Sequence, residues 1–124
     1  MNHPNNLYYS KEHTWAKIEG DAAYVGITDF AQSQLGEILY VEMPEEDDEL
    51  VQGKDFGVVE SSKKAAEVFA PVSGKVLEIN EKLDDEPEYI NEDAYDAWIV
   101  KVELSNKDEI KNLLNASEYE AGLK

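Results

Sequence analysis

Cysteine is absent from the 124 residues. No disulfide, zinc–thiolate site or thiol nucleophile can therefore form from the chain itself. Any redox sulfur has to arrive on an attached or bound group. Arginine is absent too: all 11 basic residues are lysines. The side chain best suited to bidentate contacts with phosphates and base edges is thus missing. Histidine is confined to His3 and His13, which leaves few groups that titrate near neutrality. No nucleophile–base set, metal-ligand cluster or phosphate loop is legible, so the chain reads as a non-catalytic protein with no metal. No apolar run is long enough to span a bilayer, and no secretory signal opens the chain. The polar start, residues 1–6, reads as a loose lead-in.

Negative charge is abundant: the formal net charge is -17 at pH 7. Such a field repels nucleic acid and anionic membranes and favours basic protein partners. Hydrophobic residues make up 42%, enough for one folded domain over residues 1–124.

Along the chain, His13–Glu19 and Ala22–Ile27 read as a hairpin turned at Gly20-Asp21, with Ala23, Val25 and Ile27 on one face. Thr28 is an expected N-cap for a short helix that stops at Gly36. Ile38–Met43 reads as a strand ended by Pro44, and Glu45–Glu49 as an acidic turn. Phe56–Glu60 and Glu67–Ala70 are strands flanking the polar tip Ser61-Ser62-Lys63-Lys64-Ala65-Ala66. Lys75–Ile79 is a further strand, and Asp84–Asp93 an acidic connector. Trp98, Val100, Val102 and Leu104 alternate inward along another strand. Residues 105–123 form an expected helical tail, with Ser105 and Asp108 resembling a capping box and Ile110, Leu113 and Leu114 an apolar stripe. Gly57 and Gly74 are expected to serve close backbone approach, and Phe30, Tyr24 and Trp98 to be core. The sum is a mainly β fold, a sandwich or flattened barrel, with a short internal helix and a C-terminal helix over one end.

The run Gly57-Val58-Val59-Glu60-Ser61-Ser62-Lys63 through Pro71-Val72-Ser73-Gly74 resembles the lipoyl-attachment segment of glycine cleavage H proteins. His13 and Trp15, Val25–Gln32, Leu35-Gly36-Glu37, Val41-Glu42, Pro44, Ile90-Asn91, Tyr95 and Trp98-Ile99 extend the resemblance over nearly the whole chain. It implies a barrel-sandwich hybrid of the lipoyl/biotinyl-carrier type, with lipoate attached covalently to Lys63 at a hairpin tip. It implies a carrier that takes the aminomethyl group of glycine from glycine decarboxylase to aminomethyltransferase and is reoxidised by dihydrolipoyl dehydrogenase. A lipoate ligase or lipoyl/octanoyl transferase would load it, with Glu60 and Ser61 as candidate recognition residues. The loaded arm would shelter in a cleft containing His13, Thr14 and Glu67.

Two positions depart from the family. Thr14 stands where Glu is common, which is expected to weaken protection of the loaded arm, with nearby acidic side chains compensating in part. Lys64 stands where a small residue is usual. A related role, relaying lipoyl or octanoyl groups to other acceptors, shares the same lysine. A biotin carrier is disfavoured because Ser62 and Lys64, not methionines, flank Lys63. A monomer is expected of a carrier that docks several partners. The resemblance implies the cytoplasm as its location if bacterial, and the mitochondrial matrix if it is a processed eukaryotic protein.

Overall fold

The structure is a computed structural model, and it describes residues 3–123. Its strands are β1 (Tyr8–Tyr9), β2 (Thr14–Glu19), β3 (Ala22–Ile27), β4 (Ile38–Glu42), β5 (Glu49–Leu50), β6 (Asp55–Ser61), β7 (Ala65–Phe69), β8 (Gly74–Ile79) and β9 (Val100–Leu104). Helix α1 (Asp29–Leu35) lies between β3 and β4; α2 (Lys82–Asp85) and α3 (Tyr89–Glu92) lie between β8 and β9. A 3-10 helix (Lys107–Asn112) and α4 (Ala116–Gly122) end the chain. No helix among the described residues is long and apolar enough to cross a membrane.

The strands form a six-stranded sheet, ordered β1-β2-β3-β9-β8-β5, and a three-stranded sheet, ordered β4-β6-β7. Every named strand pair is antiparallel. The alternation expected of β3 places Ala23, Val25 and Ile27 in the core. They meet Val41, Val59 and Val68 of the smaller sheet, and Val76, Val100 and Val102 of the larger. Burying apolar faces from both sheets removes them from water, the main favourable term in holding such a fold together. Gly57 and Gly74 mark the close approaches expected of them: a Cβ would sit 2.4 Å from Glu42 O at the first and 2.3 Å from Glu103 O at the second.

Several expectations need correction. His3 is not loose: it is buried, and its Nδ1 lies 3.0 Å from Tyr95 Oη. Leu7 and Tyr9 form a second apolar cluster with Trp15, Ala116 and Tyr119, and the His3 ring packs edge-on against Tyr9 and Tyr119. Met1 and Asn2 fall outside the described residues. The acidic connector is partly helical: α2 runs into its start and α3 lies within it, each short turn of helix anchored by one fully buried side chain, Leu83 and Ile90.

The tail is capped elsewhere than expected. Asn106, not Ser105, accepts from Asp108 N, and the capping box is Asn115 with Glu118. The apolar stripe divides, with Leu113 on the main core and Leu114 on the second cluster. Trp98 precedes β9 and packs edge-on against Tyr24 in the second cluster, so only Val100 and Val102 of its alternating set are fully buried.

Candidate functional site

The hairpin β6–β7 carries Lys63 at its tip, and the tip is built by Ser61. The Ser61 N–H donates to Lys64 O at 2.8 Å. Its hydroxyl accepts from the N–H groups of Lys63 and Lys64 at 3.2 and 3.1 Å and donates to Lys64 O at 3.0 Å. One serine thus satisfies the turn's backbone locally, the habit that favours Ser in turns. The Ser62 N–H donates to Glu37 O at 3.2 Å, which ties the tip to the junction between α1 and β4.

That junction is itself clamped. Asn91 accepts from Ile38 N at 2.8 Å and donates to Gly36 O at 2.8 Å and Gln32 Oε1 at 2.9 Å. Gly36 turns with φ +83, where a side chain would be strained. Over its bare Cα runs the Lys63 stem. Lys63 is exposed, with its chain on the Gly36 side. Lys64, also exposed, lines a cleft that Lys63 does not line. The two neighbouring lysines therefore serve different surroundings, in keeping with the reversal of side-chain direction between adjacent residues.

The cleft holds about 160 Å³. Ile27, Phe30, Leu35, Val59 and Val68 make its wall apolar, while Glu12, Glu67, Lys64 and His13 supply charge and polarity. Phe30, expected in the core, is half-buried and faces this cleft. Thr14 lines it too, but is buried, with its hydroxyl 2.6 Å from Ser10 Oγ. His13 adopts φ 69, a left-handed backbone uncommon outside glycine. Its Nδ1 lies 2.7 Å from Tyr119 Oη. Its ring packs on Phe30 and Tyr119. Burial pushes the His13 imidazole below its ordinary value of 6.5, with Glu12 opposing in part.

Of the residues named from sequence, the structure brings His13, Thr14 and Glu67 to one cleft. Glu60 stands apart from it, exposed and paired in register with Tyr40 and Ala65. Sequence reading missed Glu12, Asn91 and Tyr119 as contributors. Glu12 could have been found as the nearest acid to Thr14. Asn91 and Tyr119 act from 53 and 106 residues away in sequence, and no local pattern announces that. No group of His, Asp and Glu suited to holding a metal occurs among the described residues.

Comparison with known proteins places these features in context. Residues 7–124 match the family model described as glycine cleavage H-protein. The glycine cleavage system H protein of Clostridioides difficile (strain 630) is 61% identical over 118 residues, covering 94% of each chain. That of Alkaliphilus oremlandii (strain OhILAs) is 60% identical over 113 residues, 91% of this chain and 89% of the relative. A crystal structure of a glycine cleavage system H protein from Mycobacterium marinum superposes with a TM-score of 0.86 at 33% identity, covering 95% of this chain and 96% of that one.

Proposed function

Because the chain belongs to the glycine cleavage H-protein family, we propose that it is the lipoyl carrier of that system, bearing lipoate as an amide on Lys63 Nζ. The observation that carries this reading is the placement of Lys63, exposed at a serine-tied hairpin tip whose next residue, Lys64, lines the cleft. When bound, the dithiolane would supply the sulfur that takes up glycine's aminomethyl carbon and later yields it. The chain, which has no cysteine, contributes position and shelter.

The residues present suit such a group. The Lys63 amine is reachable by a modifying enzyme, while the backbone beneath it is fixed by Ser61, Glu37 and the paired strands. A tether with a firm base and a free end raises the local concentration of its terminus near nearby partners. The cleft's apolar wall matches a hydrocarbon and sulfur ring. Glu12 and Glu67 would hold a protonated amine by charge, and closing the cleft over that amine would keep water from it.

Glu12 provides at this site the carboxylate that Thr14 does not. Lys64 works against both acids, because its ammonium competes for them. The partners that follow from this reading are glycine decarboxylase, aminomethyltransferase, dihydrolipoyl dehydrogenase and a lipoate-attaching enzyme. Shape and acidity would select basic docking surfaces on each.

The test is glycine–bicarbonate exchange with glycine decarboxylase and the lipoylated protein. Exchange supports the aminomethyl carrier. Lipoylation without exchange, accompanied by passage of the acyl group to other acceptors, would assign the chain to the relay role instead.

A further inference from the structure

Tyr119, on α4, reaches behind the cleft and meets two side chains at once. Its Oη lies 2.7 Å from Thr28 Oγ1 and 2.7 Å from His13 Nδ1. Its ring stacks on Tyr9 at a centroid distance of 4.9 Å and 10° between planes, so the phenol has little freedom to swing away. His13 is held by its backbone as well: its N–H donates to Ser10 O at 3.2 Å, and its carbonyl accepts from Thr28 N at 3.1 Å. A non-glycine residue at φ 69 beside a cleft is a costly placement that the surrounding contacts must enforce.

Donor accounting fixes the direction of the chain of hydrogen bonds. Thr28 is fully buried, and its Oγ1 already accepts from Ala31 N at 3.2 Å. Its own proton needs an acceptor, and the Tyr119 oxygen is in place. Leaving that proton unpaired in the interior would be penalised. The Thr28 hydroxyl therefore donates to Tyr119, and the single Tyr119 proton goes to His13 Nδ1. His13 accepts at Nδ1 and carries its proton on Nε2.

We propose that Tyr119 is a positioning residue: its phenol, backed by Thr28, holds His13 neutral with the proton on Nε2, so that the cleft meets an ammonium group with two carboxylates and an uncharged ring. This rests on the reading of the cleft as the shelter of the glycine-derived amine. A cationic His13 would set a second positive charge beside Lys64 and weaken the hold of Glu12 and Glu67. The C-terminal helix thereby reaches the cleft through one hydroxyl. Burial of the imidazole acts in the same direction. The charged and titratable groups around the ring are Glu12 and Lys11 from its own segment, Lys64 and Glu67 from the hairpin, and Glu118 and Tyr119 from the tail.

The test begins with nitrogen-15 imidazole spectra of the full, unmodified chain. Wild type should show His13 as the Nε2–H tautomer down through pH 6.5. Tyr119→Phe keeps the ring on Tyr9 but removes the hydroxyl. It should mix the two tautomers and move the His13 midpoint up toward its ordinary value. Thr28→Val removes the donor behind the phenol and should also mix the tautomers, which keeps the test decisive should Tyr119→Phe fold poorly. An unchanged His13 signature in a folded variant would overturn the proposal.

The second readout is loss of glycine-derived amine from the lipoylated, glycine-loaded protein. In Tyr119→Phe, loss should be at least about twofold faster at pH 6 than at pH 7.5, while wild type shows a smaller change. If Glu12→Gln and Glu67→Gln speed the loss but Tyr119→Phe does not alter its pH profile, the link from Tyr119 to the cleft is refuted and the shelter stands. If none of the three alters loss, the shelter itself falls and takes the link with it.

Discussion

The Lys63 side chain crosses the bare Cα of Gly36: a Cβ built on that glycine would lie 3.5 Å from Lys63 Cε and 3.8 Å from its Nζ. The contact alone is tolerable for an alanine, but the backbone is not, because Gly36 sits at φ +83. Gly36 also ends α1, donating its N–H to Gln32 O at 2.9 Å. Gly36→Ala should therefore lower unfolding free energy by roughly 1–2 kcal/mol. Urea denaturation checks this, and an unchanged midpoint would show that the turn relaxes without cost.

Ser61→Ala removes one acceptor and one donor from the tip, leaving the N–H groups of Lys63 and Lys64 to water. The tip is exposed, so the stability cost should be small, about 0.5–1 kcal/mol. The larger effect should be on geometry. Acylation of Lys63 by a lipoate ligase should slow because the enzyme must select the tip's conformation from a broader set. Steady-state acylation of the two proteins compares them, with equal rates counting against a role for the serine in presenting the lysine.

Charge in the cleft can be varied in both directions. Glu12→Gln and Glu67→Gln each remove an attraction for a bound ammonium, and Lys64→Ala removes a competitor. The glutamine variants should lose glycine-derived amine faster and Lys64→Ala more slowly, by about two- to fivefold each at low salt, with the differences shrinking as salt is added. Glu12→Gln should have an effect at least comparable with Glu67→Gln. A null result there would return the role to other acids.

Stability should fall with acid because of His13. Burial lowers its pKa in the folded state below the ordinary 6.5. As pH drops below that value, the unfolded chain takes up the proton first, and unfolding becomes more favourable. The decline should begin near pH 6.5 and flatten once the folded imidazole also protonates. Urea midpoints from pH 8 to pH 5 measure it. His13→Asn, which tolerates the left-handed backbone, should shallow the slope in that window. Retention of the wild-type slope would assign it to other groups.

Local pattern carried most of the strand and helix placement. Alternation along β3, the Thr28 cap and the Gly36 stop are readable because each depends on residues within a turn or two of one another. The hairpin tip was readable for the same reason. The second cluster was not. Its members, Leu7, Tyr9, Trp15, Ala116 and Tyr119, come from opposite ends of the chain, so His3 looked like part of a loose start until Tyr95 supplied its partner. The acidic connector misled because charge outnumbers Leu83 and Ile90, although a single buried side chain suffices to anchor a one-turn helix. In the cleft, His13, Thr14 and Glu67 were accessible through resemblance. Glu12, two residues from Thr14, was within reach of the same local reading, and the structure sets it on the cleft wall.

The central claim is that one amine receives the prosthetic group. Peptide mass spectrometry after incubation with lipoate and a lipoate ligase tests it most directly, comparing wild type with Lys63→Ala and Lys64→Ala. The lipoyl mass increment should appear on the Lys63 peptide of wild type and of Lys64→Ala, and vanish from Lys63→Ala. Equal labelling of Lys63→Ala, or labelling abolished only in Lys64→Ala, would contradict it.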